Sequence, residues 1–242
     1  MRNLDTRRSL QTFWDDVVYT EAALLADDET AALAAALTEH LADHERVAKI
    51  DRDSRRATLQ AGARANVADG GVDEGIRDLH NDTLHDVQQD RSERRYATLF
   101  PQPLNRMIRH ALARQLEGAT EIVERLGLSL FTEAFRDRHR GSLGALIERG
   151  RAALASRRTA ALQRTEARLE IQAWKEETNA LRLGIYSQLL SIAAQQRHNR
   201  RWAEQFFMRH RSSSGVEEEL IEDIQTEDGE GTTDTLETPT VG

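Results

Sequence analysis

Cysteine is absent from the 242 residues, which excludes disulfides, thiolate zinc or iron–sulfur ligation, and cysteine nucleophiles. Three prolines and 14 glycines are too few for an all-β sandwich, which needs a turn about every 8–12 residues. Aromatic residues make up 5% of the chain, so any core must be built mainly from Ala and Leu. Lysine is nearly missing, with only Lys49 and Lys175 beside 31 arginines. That imbalance fits an arginine-favouring genome, or selection for bidentate phosphate and carboxylate contacts. No apolar run approaches the roughly 18 residues that a membrane span needs. The opening MRNLDTRRSLQTFW has charge but no apolar stretch of the signal-peptide kind. These absences lead to the expectation of a soluble, cytoplasmic protein.

Common catalytic signatures are missing as well. A phosphate-binding loop needs Gly before Lys, and here Ala48 and Trp174 precede the two lysines. The chain has no HExxH, GxGxxG or GxSxG. A di-iron bundle needs two Glu-x-x-His motifs, yet only Asp82 before His85 sets a carboxylate three residues ahead of a histidine. The many neighbouring acids, such as Glu121 and Glu124, read as solvated helix faces. No cofactor and no enzymatic activity are therefore expected.

What is present is helical periodicity and charge, with 31% of the residues charged. Leu10, Phe13, Trp14, Val17, Val18, Ala22 and Leu25 recur at spacings near three and four. The acidic run Asp27–Thr30 suits a new helix start. The helix after it is expected over 31–68, ending at Gly70-Gly71, with Asp73 capping another that runs to Phe100. Pro101 and Pro103 form the one hard break. Beyond it, Leu104 to Leu126 reads as one helix stopped by Gly127, followed by a short helix from Ser129 to about Arg138. The longest stripe then passes from Leu143 through Ile147, Leu154, Ala161, Leu162, Leu169, Ile185, Leu189 and Ile192 to Phe206, with a break suggested at Glu177-Thr178-Asn179. The expected fold is all-α: an elongated, antiparallel, coiled-coil-like bundle. It comprises an N-terminal segment 1–100 and a C-terminal segment 104–211, which can share one bundle.

Residues 212–242 carry ten acids and no base. They hold too little apolar surface to offset chain entropy, so a disordered acidic tail is expected. The remaining 1–211 has 33 bases and 31 acids, a net charge of +2. Gln89–Phe100 and Gln195–Phe206 lie 106 residues apart and agree at six of twelve positions. Two readings stand: a duplicated half of about 100 residues, or a coincidence in a chain rich in Arg and Ala.

Three groups of side chains are candidates for function. His40 and His44, at i and i+4 on a helix, could chelate a metal with His80, Asp82 or His85, or serve as core-edge histidines. Arg197, Arg200, Arg201, Arg209 and Arg211 surround Trp202, a composition suited to phosphates, with the aromatic ring free to stack. In the tail, Leu220, Ile221 and Ile224 sit among acids as anchors for docking onto a partner. The leading expectation is a non-enzymatic scaffold or adaptor, binding a protein partner or a second copy of itself through helix faces and the tail. The alternative is an anion-binding module for nucleic acid or an anionic surface. A third is a helical enzyme or metal protein whose site is scattered along the chain.

Overall fold

The computed structural model describes residues 3–208. Among them there is no strand, and the architecture is an all-α bundle organised by two long helices. The elements are α1 (Leu10–Leu25), a one-turn 3-10 helix (Ala31–Ala34), α2 (Ala35–Asp86), α3 (Arg94–Leu99), α4 (Leu104–Ile108), α5 (Leu112–Leu126), α6 (Glu133–Gln196) and α7 (Arg200–Glu204). At 1.5 Å per residue, α2 and α6 are ~78 and ~96 Å long. They run antiparallel: His40 meets Thr178, Asp51 meets Arg164, Gly75 meets Leu146 and Asp82 meets His139.

Several helix boundaries differ from those read in the sequence. Gly70-Gly71 does not end α2, which continues to Asp86. Two glycines there serve close packing instead: a Cβ on Gly71 or Gly75 would meet Leu146 of α6 at 3.2 or 2.5 Å. Lost helix propensity of about 1 kcal/mol per glycine is offset by burying Leu146 against the bare backbone. α2 ends where Gln88 and Gln89 take positive φ, with the Gln89 N–H donating to the Leu84 carbonyl at 2.7 Å. The stretch expected to run on to Phe100 is thus the separate α3, capped by Glu93.

The stripe from Leu104 is also divided. The chain breaks over residues 109–111, and the Ile108 carbonyl accepts from Gln115 Nε2 at 2.9 Å. A short helix capped by Ser129 does not form. Thr132 caps α6 instead, accepting from the Phe135 N–H at 3.3 Å, and the helix passes through Gly141, Gly144 and residues 177–179 without a break. It stops at Gln196 rather than Phe206, because Arg197 adopts the left-handed conformation at φ 61°.

Apolar burial is concentrated at the two ends. One core joins Val72, Ile76 and Leu79 of α2, Leu99 and Phe100, Leu116, Ile122 and Leu126 of α5, and Leu143 and Ile147 of α6. The other joins Val17 and Leu24 of α1, Leu37 of α2, Ile185 and Leu189 of α6, and Phe206 and Phe207 after α7. A small cluster of Leu4, Phe13, Val47 and Trp174 lies alongside the second core. Between the ends, the buried seam is Ser54, Ala61 and Ala65 against Ala153, Ala160 and Ala167. Such small side chains allow close helix approach but bury little apolar surface. Arg164 reaches across to Asp51 Oδ1 (2.7 Å) and Ser54 Oγ (2.9 Å), and Arg46 to Glu170 (2.6 Å).

The two halves are built alike. Each has a helix of 15 or 16 residues, a long helix and a capped helix of five or six. The 106-residue offset seen in the Arg-rich motifs extends back along the long helices. Leu37 and Leu143, Val47 and Ala153, Ala61 and Ala167, Ile76 and Arg182, Leu79 and Ile185, and Thr83 and Leu189 are buried at both positions. Each core is closed by the first helix of one half and the last helix of the other half, with the long helices of both between them.

Candidate partner-binding surface

The face of α6 turned away from α2 carries exposed apolar residues in a regular series. Ala155, Leu162 and Leu169 follow one another at seven-residue intervals, and Leu183 lies two intervals further on. Ala152, Thr159, Glu166, Ala173 and Ala180 interleave with them, and Glu176 fills the remaining position of the first series, all exposed. Leu162, Leu169 and Leu183 are 60%, 67% and 57% exposed. α2 shows a shorter counterpart in Leu59 (73%) and Val67 (78%). Large aliphatics at this spacing, left in water on a helix that already has a packed seam, form a second seam without an occupant among the described residues.

The periodicity assigns Leu162 and Leu169 to the core stripe; the structure turns them outward. Two seven-residue series interleave along α6, and the buried one is Ala153, Ala160, Ala167 and Trp174. The endpoint is the signal that could have told them apart. Only that series arrives at Trp174, an indole 2% exposed that stacks on His40.

His40 and His44 lie on α2 against the same indole. His40 stacks on Trp174 at 4.6 Å with an interplanar angle of 5°, and its Nε2 is 2.7 Å from Thr178 Oγ1. His44 is wedged between Trp14 and Trp174. Burial holds both imidazoles below their ordinary pKa, against an opposing pull from Glu177 and Asp43 on His40 and from Glu45 on His44. His80, Asp82 and His85 do not approach them, lying at least 36 residues, or ~54 Å, along the same helix. His80 instead meets Tyr96 Oη at 3.0 Å, and Asp82 meets His139 at 3.1 Å. No group of three metal-ligating side chains occurs among the described residues.

At the end of α6, Arg197, Arg200 and Arg201 are all exposed. Arg200 Nε donates to Tyr186 Oη (3.1 Å) and Glu204 Oε1 (3.2 Å). Trp202 is half-buried between His198, stacked at 4.7 Å, and Phe206 at 5.0 Å. Its ring is therefore already covered on one face. Arg91, Arg94 and Arg95 repeat the same spacing at the end of α2, with Arg95 paired to Asp86 and Glu93. Arg209, Arg211, Leu220, Ile221, Ile224 and the acidic tail 212–242 lie outside the described residues.

One buried ion pair was not legible beforehand. Arg182 (2% exposed) reaches Asp16 (0%), with Nε at 2.6 Å from Oδ1 and Nη2 at 3.3 Å from Oδ2. Its guanidinium also lies 5.5 Å from the centre of the Phe207 ring. This side-on clamp fastens α1 and the post-α7 residues to α6.

No helix among the described residues is long and apolar enough to cross a membrane. The fold defines the class: an all-α protein made of an antiparallel pair of long helices with a small helical core at each end. No family model matches the sequence, and neither the curated proteins nor the solved structures contain a significant match.

Proposed function

We propose that this protein is a non-enzymatic helical scaffold that docks a protein partner on the outer face of α6. One observation carries the reading: the exposed seven-residue series Ala155, Leu162, Leu169 on a stretch where only α2 lies behind the helix. Exposed aliphatics in line with one another suit a partner helix. Leu220, Ile221 and Ile224 of the acidic segment would add a second, tethered contact. The reading assumes a cytoplasmic setting. The test is capture with the full-length chain against Leu162→Ser/Leu169→Ser, with thermal unfolding of both. Loss of a stoichiometric partner at an unchanged Tm is the expected result. Equal capture by both chains overturns the assignment of this face.

A second reading, anion binding, rests on the recurrence of Arg-x-x-Arg-Arg at residues 91–95 and 197–201, after the ends of both long helices. Arg91, Arg94, Arg197 and Arg201 are exposed. Binding to a duplex oligonucleotide that falls steeply with salt, and weakens on Arg197→Gln/Arg201→Gln, would favour it. Salt-independent binding would count against it.

A further inference from the structure

We infer that α6 carries a binding site for a peptide of the form Leu-Asp followed by a tight turn, and that the chain's own residues 4–8 occupy it in cis. Ahead of α1 this segment crosses α6 as a strap. Leu4 is 6% exposed and fills a slot lined by Phe13, Val47 and Trp174. One side chain reads both of its backbone polar groups: the Leu4 N–H donates to Asn179 Oδ1 at 2.9 Å, and Asn179 Nδ2 donates to the Leu4 carbonyl at 2.9 Å. Asp5 then closes the turn, its Oδ1 accepting from the Arg7 N–H (2.9 Å) and its carbonyl from the Arg8 N–H (3.0 Å). The turn presents the Thr6 and Arg8 carbonyls to Lys175 Nζ, at 3.1 and 2.6 Å.

These bonds join side chains of α6 to the main chain of the strap, so they read a backbone shape. Sequence enters at Leu4, which fills the slot, and at Asp5, which sets the turn; Asp5, Arg7 and Arg8 are exposed. The strap belongs to neither of the two large cores, so it leaves by fraying from the chain end rather than by unfolding. Once vacated, the site holds a buried ammonium (Lys175, 8% exposed) and an amide without their acceptors, which favours recapture of a peptide. The other half has no such socket. At the 106-residue offset, Asn179 and Lys175 correspond to Asp73 and Asp69 on α2. A carboxylate cannot donate to a carbonyl, and Asp73 instead accepts from Gln115 Nε2 at 3.0 Å. The socket is therefore an addition to the plan that both halves share.

A tethered strap competes with free peptide at high effective concentration, so the test first opens the site. Full-length Leu4→Ser empties the slot and keeps Asn179 and Lys175. A fluorescent peptide of residues 3–9 should bind this chain saturably by fluorescence anisotropy, about tenfold or more tighter than it binds the unaltered chain. Asp5→Ala, at an exposed position, loosens the turn without touching the slot and should give an intermediate affinity. Adding Asn179→Ala, or replacing the peptide's leucine with serine, should abolish binding, with Tm recorded for each variant. Absence of saturable binding to both opened chains overturns the inference. So does equal affinity for the unaltered chain, or binding indifferent to Asn179 or to the peptide's leucine.

Discussion

At the scale of single residues, the buried polar groups set the sharpest expectations. Asp16 and Arg182 are both buried, and each charge is offset there by the other. Asp16→Ala takes the paired carboxylate away from a buried guanidinium that lies against Phe207, and should cost about 3–5 kcal/mol of stability, measurable by urea unfolding. A loss below about 1 kcal/mol would show that water reaches Arg182. The histidines act through pH. His40, His44, His80 and His139 are all held below the ordinary value of 6.5, chiefly by burial, although Asp82 pulls His139 the other way. The unfolded chain takes up these protons first as pH falls, so the folded state is favoured in full above about pH 6.5 and loses that advantage below it. Each imidazole contributes at most about 1.4 kcal/mol per pH unit. Tm should be flat on the alkaline side of that point and decline on the acid side, and His40→Gln should shallow the decline. A Tm independent of pH through this window would contradict the burial of the four rings.

At the scale of helices, glycine separates two kinds of position. Gly62 lies inside α2 with no atom within 4 Å of where a Cβ would stand, whereas a Cβ on Gly150 would meet Leu116 Cδ2 at 2.6 Å and Cγ at 3.3 Å. Gly62→Ala should therefore stabilise by about 0.5–1 kcal/mol. Gly150→Ala should destabilise by about 1–3 kcal/mol through overpacking of α5 on α6. Chemical unfolding of the two variants side by side checks the sign. Arg197, at φ 61°, is the converse case: Arg197→Gly should add a few tenths to about 1 kcal/mol by removing a strained Cβ. The same contrast explains which boundaries could be read from sequence. α1 was legible because Phe13, Val17 and Leu24 recur at helical spacing ahead of the acidic run Asp27–Thr30. Gly70-Gly71 misled because a glycine that ends a helix and a glycine that admits Leu146 are identical in sequence; only the partner helix distinguishes them. The outward seam was hidden for a related reason. Leu162 and Leu169 have the period of a core stripe, and only the arrival of the neighbouring alanine series at Trp174 marks the alanines as the ones buried.

At the scale of the whole described unit, the two halves share one plan, and neither core is made by one half alone. The all-α fold was legible from composition and period. The pairing of α2 with α6 was not, because contacts such as Asp51 with Arg164 join residues 113 apart through small side chains that carry no sequence signature. The thin middle has a consequence for exchange with solvent. In an ordinary helix the central amides are the last to take up deuterium and the ends the first. Here, residues 51–61 of α2 and 157–170 of α6 are held mainly by alanines and a few ion pairs, while both ends are anchored in apolar cores. The order should invert, with deuterium entering the middles of the two longest helices ahead of their flanks.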